Sequence, residues 1–184
     1  MADKKINIWI ESAMLVSVSV GLALTIRTFI AEARYIPSKS MLPTLEVGDR
    51  LVIEKITYLF RKPQRGDVIV FTPPDNAIRC NPSQPQALPI KDAYIKRVIG
   101  VPGDTVEVKN DRVFVNGNPL EEDYINDVPQ YRFPPVTVPK NRYLVLGDNR
   151  NESCDSHVWG FVEAEKIIGH AGFRFFPLNR LGGI

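Results

Sequence analysis

Hydrophobic positions follow two different patterns along the chain. Residues 12–26 form one apolar run without a charged residue, whereas beyond residue 45 the apolar positions fall into short β-branched runs separated by turn residues. The run becomes a few residues longer at each end if Glu11 and Arg27 are tolerated near its ends. This length is short for a transmembrane helix but sufficient to span a membrane. We therefore predict a transmembrane helix at about residues 8–28, within a membrane anchor of residues 1–33.

A cleavable signal peptide is the alternative interpretation of this run. Lys4 and Lys5 precede the apolar core and the small-residue triplet Ala31-Glu32-Ala33 follows it, as in signal peptides. Arg27 lies between the core and the triplet and favours the transmembrane interpretation. Positive charges occur on both sides of the run, so the positive-inside rule does not choose an orientation.

The rest of the chain, residues 34–184, has the pattern of a predominantly antiparallel β domain. Period-2 and β-branched runs bounded by turn residues predict seven strands. These are Leu51–Ile56, Val68–Thr72, Tyr94–Gly100, Thr105–Lys109, Arg112–Val115, Tyr143–Leu146 and Phe173–Phe176. Asn110-Asp111 is predicted to be a hairpin turn, and Asn116-Gly117 to begin the next turn. Glu163 to Ile168 carries a weak helical pattern.

Two proline-rich intervals, residues 73–89 and 129–139, interrupt the β pattern. Both are poor in periodic apolar positions, so we predict loops or extended excursions of the β domain. Either interval would be a tolerated surface insertion or part of a binding surface.

Composition narrows the class of protein. A chain of 184 residues has room for the anchor and one domain of roughly 150 residues. The net charge of +2 is spread along the chain without a basic block, which argues against nucleic acid as a partner.

Cys80 and Cys154 are too few for a disulfide scaffold and lie in no zinc-binding pattern. Whether they pair is left open by the sequence.

A pair of serines follows the apolar run. Ser38 and Ser40 lie between Pro37 and Pro43, and each proline restricts its own backbone and that of the residue before it. On a stiff, extended segment the two hydroxyls would point the same way. One would act as a nucleophile and the other would help to bind the oxyanion. The alternative is an ordinary Pro/Ser turn.

A nucleophilic serine needs a base, and Lys96 is one candidate. On a strand, Lys96 shares a face with Tyr94 and Val98, so its amine would be buried. Burial disfavours the charged form and would make the amine a usable base near neutral pH. The alternative is a lysine on a solvated strand face.

A histidine is the second candidate base. Asp155 and His157 would complete a Ser-His-Asp triad with Ser40. An Asp and a His only two positions apart seldom reach the geometry that such a triad requires.

Polar groups are densest in residues 147–160. This segment is either a long turn whose side chains bind their own backbone, or a source of a hydroxyl and charges for the lysine site.

Four sequence blocks, taken in order, are similar to one known family. They are Pro37-Ser38-Lys39-Ser40-Met41-Leu42-Pro43-Thr44-Leu45, Arg65-Gly66-Asp67-Val68-Ile69-Val70-Phe71, Lys96-Arg97-Val98-Ile99-Gly100-Val101-Pro102-Gly103-Asp104, and Gly147-Asp148-Asn149-Arg150 through Asp155-Ser156 to Trp159-Gly160. With the N-terminal anchor, the chain resembles bacterial-type signal peptidase I and is also similar to plastid thylakoidal processing peptidase. The resemblance covers nearly the whole chain.

The resemblance implies roles for several matching residues. Ser40 would be the nucleophile and Lys96 the general base of a Ser/Lys dyad. The Ser38 hydroxyl and the Ser40 N–H would form the oxyanion hole, and Ser153 would bind the lysine amine.

Supporting residues are implied in the same way. Arg97 and Asp148 would form an ion pair, and Asp155 would be a further structural acid. This chain departs from the family at His157, where the family often has an arginine, so the partner of Asp155 would be titratable here.

The resemblance also implies the function. The chain would be a membrane-bound serine endopeptidase that cleaves signal peptides from exported preproteins after small residues, without a metal or another cofactor. Its partners would be preprotein signal peptides and the lipid bilayer. The fold would be the antiparallel β fold of signal peptidase I and self-cleaving repressors, with one transmembrane helix. The catalytic domain would lie on the extracytoplasmic side of a bacterial inner membrane or on a thylakoid membrane.

Two other classes of protein remain as alternatives. A self-cleaving Ser/Lys repressor would be expected to carry a DNA-binding segment and no anchor. A non-enzymatic anchored β module would keep the serine and the lysine far apart.

Overall fold

The N-terminal apolar run forms one long helix. The structure is a computed structural model that describes the backbone of residues 2–80 and 92–184 and the side chains of residues 7–80 and 92–184. Helix α1 (Ala2–Thr25) continues into a π-helical turn at Ile26–Ile30. The segment Asn7–Ile30 is long and apolar enough to cross a membrane, and its side chains are not buried against the rest of the protein.

The N-terminal helix leads directly into the main sheet. Strand β1 (Ala31–Tyr35) begins where the π-helical turn ends and pairs antiparallel with β2 (Arg50–Glu54). The Lys55 amine donates to the carbonyls of Arg27 and Thr28, which fixes the end of the helix to the sheet. Cleavage after Ala33, as the signal-peptide interpretation requires, would divide β1. The boundary that we placed at residue 33 lies inside the same strand.

Within residues 2–80 and 92–184, the main sheet has eight antiparallel strands. Its order is β1-β2-β11-β3-β4-β9-β10, and β12 pairs with β11. Its other strands are β3 (Val68–Phe71), β4 (Tyr94–Gly100), β9 (Arg142–Leu146), β10 (Val162–Glu163), β11 (Ile167–Phe176) and β12 (Gly182–Gly183). Short helices α2 (Thr57–Phe60) and α3 (Ser156–Trp159) lie in its connections.

A second sheet of four strands packs beside the first. It has the order β7-β6-β5-β8 and consists of β5 (Thr105–Lys109), β6 (Arg112–Val115), β7 (Asn118–Pro119) and β8 (Phe133–Thr137). Val106 and Val113 are buried on one face, where they pack with Ile99 and Leu144 of the main sheet. The alternating valines of β5 and β6 thus supply the contact between the two sheets.

Strand β4, which carries Lys96 of the candidate site, is buried on both faces. Residues 96–100 of this strand are all buried, because it lies between β3 and β9 inside the main sheet. Val98 packs with Ile69, whereas Ile99 packs with the second sheet. Consecutive side chains of a strand point to opposite faces, so both Lys96 and Arg97 are held in the protein interior.

The predicted β architecture is confirmed, with differences in detail. All seven predicted strands are present, although the one predicted at Phe173–Phe176 is only the end of the longer β11. Asn110 and Asp111 both have positive φ, as a type I′ hairpin turn requires. The helical prediction for 163–168 is wrong, since a single 3-10 turn at Ala164–Lys166 leads into β11. Strands β1, β7, β8, β10 and β12 were not predicted.

The two proline-rich intervals differ from each other. The loop prediction for 129–139 is partly wrong, because residues 133–137 form β8. In the interval 73–89, a 3-10 helix occupies Asp75–Cys80, and the prediction for residues 81–89 lies outside the described residues. Cys80 and Cys154 are joined by a disulfide, which answers the question that the sequence left open.

Candidate active site

Ser40 and Lys96 meet at the centre of the candidate site. The Lys96 amine donates to Ser40 Oγ over 2.6 Å. Both residues are buried, with 8% of Ser40 and 4% of Lys96 exposed. Strand β4 places the lysine opposite Ile69 of β3, and a turn after β1 carries the serine. The prediction that Lys96 is buried is confirmed, and a solvated strand face is excluded.

Burial changes the acidity of the lysine. Loss of hydration lowers the pKa of Lys96 from 10.5 to about 8, although the charges of Asp155 and Asp148 act in the opposite direction. A substantial fraction of the amine is therefore neutral slightly above neutral pH. A neutral amine beside a hydroxyl at hydrogen-bond distance can remove its proton, which is the arrangement of an activated serine nucleophile.

The Ser38 hydroxyl lies on the same side as that of Ser40. The two Oγ atoms are 3.3 Å apart, so the expected convergence of the hydroxyls is present. The expected extended backbone is not present at Ser40, where a turn begins and the Leu42 N–H binds the Lys39 carbonyl. The turn, rather than strand geometry, therefore presents the Ser40 hydroxyl to Lys96.

Arg97 forms a buried ion pair behind the serine. Its Nε and Nη2 atoms bind the two oxygens of Asp148 over 2.8 and 2.7 Å, and the Asp148 side chain is fully buried. Thr44 also donates to Asp148 over 2.5 Å, and Gly66 accepts a hydrogen bond from Arg97. The pair thus links the serine-bearing turn, β4 and the segment after β9.

The segment after β9 packs tightly against Ser40. The Asn149 N–H donates to the Ser40 carbonyl over 3.1 Å. A methyl group at Gly147 would overlap this carbonyl and Ser153 Oγ. Only glycine allows such a close approach without displacement of the neighbouring groups. Sequence reasoning missed the roles of Gly147 and Thr44, although both residues belong to blocks that we had singled out.

Ser153 and Asp155 also lie in this segment. Ser153 is buried, but its Oγ has no hydrogen-bond partner in residues 2–80 and 92–184, so a bond to Lys96 stays a prediction. Asp155 is fully buried and accepts hydrogen bonds from the Gly147 N–H and from the His157 ring, over 2.9 and 2.8 Å. The carboxylate therefore holds the ends of the segment together.

The alternative Ser-His-Asp triad is not formed. Asp155 and His157 do contact each other, but not in the geometry that a triad with Ser40 requires, as we expected for residues two positions apart. The His157 ring, however, stacks on Tyr131, with the ring centres 4.2 Å apart. The hydroxyl of Ser40 is bound by Lys96 instead.

A cavity opens beside the serine and the lysine. Its volume is about 490 Å³. Its walls include Tyr35, Ile36, Pro37, Val70, Ala93 and Ile95, together with Ser38, Ser40 and Lys96, and the charged residues Arg34 and Asp92 also line it. Mostly apolar walls around a few convergent polar groups are typical of a binding site.

Comparison with known proteins identifies the family. Residues 9–176 match the family described as "Signal peptidase, peptidase S26". The chain belongs to this family. The match covers most of the N-terminal helix and every strand of both sheets except β12, and it confirms the resemblance that the sequence blocks indicated.

Relatives in cyanobacteria and plants carry related names. The chain is 57% identical to "Signal peptidase I" of Leptolyngbya laminosa, over 94% of this chain and 82% of the relative. It is 52% identical to "Probable signal peptidase I-2" of Synechocystis sp., over 96% and 77% of the two chains. It is 39% identical to "Probable thylakoidal processing peptidase 2, chloroplastic" of Arabidopsis thaliana, over 99% of this chain and 48% of the relative.

Proposed function

We propose that this chain is a membrane-bound serine endopeptidase that removes N-terminal signal peptides from exported preproteins, with Ser40 as nucleophile and Lys96 as general base. Membership of the signal peptidase family supports the substrate class. The observation that carries the assignment of the two residues is the 2.6 Å distance between their functional atoms inside a buried site.

The reaction would be acyl transfer. Neutral Lys96 takes the Ser40 proton while Oγ attacks the scissile carbonyl, and the lysine then protonates the leaving amine. The same amine next activates the water molecule that releases the acyl-enzyme. No step requires a metal or another cofactor.

Two donors are assigned to the oxyanion. The Ser38 hydroxyl and the Ser40 N–H would bind the oxygen that becomes negative when the hydroxyl attacks. A donor of this kind lowers the barrier by about 3 kcal/mol. The 3.3 Å distance between the Ser38 and Ser40 hydroxyls supports the assignment.

Four further side chains would support Ser40 and Lys96. We assign Arg97 and Asp148 to positioning of the serine turn, because their ion pair also binds Thr44. Asp155 would hold the segment that packs on Ser40. Ser153 would orient the lysine amine when substrate is bound.

The substrate would enter the cavity beside Ser40 in an extended conformation. We propose small side chains at the first and third positions before the cleaved bond, as the family resemblance implies. The apolar residues Ile36, Val70 and Ile95 in the cavity wall support apolar side chains in that part of the cavity. The charged residues Arg34 and Asp92 also line the cavity.

The anchor would place this site at the surface of a bilayer. The chain has an N-terminal helix of sufficient length and hydropathy, and its relatives include cyanobacterial and thylakoidal enzymes by name. We propose that residues 1–33 are the anchor and residues 34–184 the catalytic domain. That domain would lie on the extracytoplasmic side of a bacterial inner membrane or on a thylakoid membrane.

The alternative classes are less well supported. A non-enzymatic module would not need a lysine whose pKa is lowered to about 8 at hydrogen-bond distance from a serine. A self-cleaving repressor is disfavoured by the anchor helix and by the family match, which extends over residues 9–176.

The test is cleavage of a purified preprotein in detergent by the full-length protein. Ser40→Ala and Lys96→Ala should abolish release of the signal peptide, whereas Lys109→Ala, on an exposed position of the second sheet, should not. Circular dichroism verifies that each variant is folded. Wild-type activity in either the Ser40 or the Lys96 variant would refute the proposal.

A further inference from the structure

The loop that joins β7 to β8, residues 120–132, contacts the segment that packs on Ser40. Glu122 binds Arg150 in a two-pronged ion pair, with Nη1 and Nη2 of the arginine 2.9 and 2.6 Å from the two carboxylate oxygens. The Arg150 side chain is fully buried and that of Glu122 is 6% exposed. A buried guanidinium needs such a partner, since an unpaired charge in the protein interior is strongly unfavourable.

The third donor of Arg150 connects this ion pair to the candidate site. Its Nε donates to the Gly147 carbonyl over 3.0 Å. Gly147 is the residue at which any side chain would overlap the Ser40 carbonyl. The Asn149 N–H, between Gly147 and Arg150, also donates to the Ser40 carbonyl. One rigid connection therefore runs from the Glu122 carboxylate to the backbone of the nucleophile.

A second residue of the loop contacts the other buried guanidinium. The Tyr124 hydroxyl donates to Glu122 over 2.7 Å. Its ring lies 4.0 Å from the guanidinium of Arg97, at the distance of a cation–π contact. Arg97 in turn holds Asp148. Glu122 and Tyr124 thus support both arginines that flank the site.

The C-terminal end of the loop, residues 128–131, also contacts residues 151–157. The Gln130 N–H donates to the Asn151 side chain, and the Asn151 amide donates to the Val128 carbonyl, over 2.8 and 3.0 Å. Tyr131 stacks on His157. These contacts hold the loop against residues 147–157 at both ends, so a displacement of the loop would displace that segment.

We infer that Glu122 is a positioning residue, which acts through Arg150 to hold the backbone at Gly147 in the place that Ser40 and Lys96 require. Its carboxylate binds Arg150 and Tyr124, not the Ser40 hydroxyl or the Lys96 amine. The inference rests on the proposed function, because it concerns the rate of the same reaction. A misplacement of ~1 Å in an active site can lower the rate by ~10²-fold, so a support of this kind has a measurable effect.

A single Glu122→Ala substitution would not test the inference, since it would leave Arg150 buried without its partner and would destabilise the whole domain. The double substitution Glu122→Met and Arg150→Met removes both charges and keeps similar side-chain volumes. Proteins often tolerate the replacement of a buried ion pair by apolar residues of similar volume. Glu122→Gln is the second variant, because its amide oxygen can still accept one hydrogen bond from Arg150. Glu107→Gln is the matched control, because Glu107 lies in β5 and pairs with the exposed Lys109, away from Arg150 and the candidate site.

The measurements are kcat, KM and the melting temperature of the full-length protein with a preprotein in detergent. We expect the folded double variant to lose about tenfold or more in kcat with KM unchanged, and Glu122→Gln to lose less. Glu107→Gln should keep the wild-type kcat. A wild-type kcat in the folded double variant would show that the ion pair is structural only. If that variant does not fold, a wild-type kcat of Glu122→Gln overturns the inference in the same way, and a reduced kcat with unchanged KM supports it.

A change in KM alone, in either variant, would also overturn the inference, since it would indicate substrate binding. Failure of the proposed function is recognised separately. It would appear as activity in Ser40→Ala or Lys96→Ala, irrespective of what happens at Glu122.

Discussion

The Lys96 amine lies 2.6 Å from the Ser40 hydroxyl, although 56 positions separate the two residues in the chain. The lysine reaches this position from a strand that is buried on both faces, and burial lowers its pKa to about 8. The same burial that makes the amine a base also costs stability when the amine is charged. Both consequences can be measured.

Activity should rise with pH as Lys96 loses its proton. Because the pKa of the lysine is about 8, kcat/KM should increase about tenfold per pH unit below that value and level off above it. The measurement is the initial rate of preprotein cleavage from pH 6 to pH 10 at a substrate concentration well below KM. A midpoint near the ordinary lysine value of 10.5 would contradict the burial argument.

Replacement of the buried lysine by an uncharged residue should stabilise the protein. The pKa difference between 10.5 and about 8 corresponds to a cost of about 3 kcal/mol for keeping the amine charged in the folded state at pH 7. Lys96→Met should therefore raise the free energy of unfolding by up to that amount, as measured by urea denaturation in detergent.

The sign of this effect depends on pH. Between pH 8 and 10.5 the unfolded chain binds more protons at Lys96 than the folded chain does, so the stability of the wild type rises with pH in this window. The advantage of Lys96→Met should shrink accordingly. Lys109→Met, at an exposed position, is the control and should change stability by no more than about 0.5 kcal/mol. An equal effect of the two substitutions would show that burial is not the cause.

Gly147→Ala should strongly reduce the rate of cleavage. The added methyl group would overlap the Ser40 carbonyl and Ser153 Oγ, which are parts of the closely packed site rather than ends of flexible side chains. We expect kcat to fall by about 10²-fold or more, measured with the same preprotein. Gly182→Ala is the control, because an added Cβ there meets no atom within 4 Å. Normal activity of Gly147→Ala would mean that the segment after β9 moves without consequence for Ser40.

Loss of the disulfide should lower stability. The bond joins Cys80 to Cys154 across 74 positions, and closure of a loop of this length stabilises a folded chain by about 4 kcal/mol. Substitution of both cysteines by serine should reduce the free energy of unfolding by about that amount, and a reductant should destabilise the wild type but not the variant. Identical unfolding curves of the wild type with and without reductant would contradict the prediction.

Local patterns were sufficient for most of the strands and failed for identifiable reasons. The local pattern at β8 predicts a loop because it contains Pro134 and Pro135, but the strand lies at the edge of the second sheet, where proline is tolerated. The apolar residues at 163–168 matched a helix because a short apolar run does not distinguish a helix from a strand. Strand β1 lacks a β-branched run and is formed through its pairing with β2.

The candidate site was predictable in composition but not in arrangement. The motif blocks indicated Ser40 and Lys96, and the buried strand pattern indicated an amine of lowered pKa. Glu122 and Tyr124 had no such signal, because they lie in a part of the chain without a recognisable motif. Their contacts with Arg150 and Arg97 appear only when the second sheet is packed against the first.

Amino-acid order alone was enough to specify the apolar helix, the strand-rich domain, the family and the two candidate reactive side chains, because each of these depends on local periodicity or on residues close together in a motif. The hydrogen bond between Ser40 and Lys96, the disulfide and the ion pair between Glu122 and Arg150 join segments 28 to 74 positions apart. Such contacts depend on strand register and on the packing of one sheet against another, which no local period encodes.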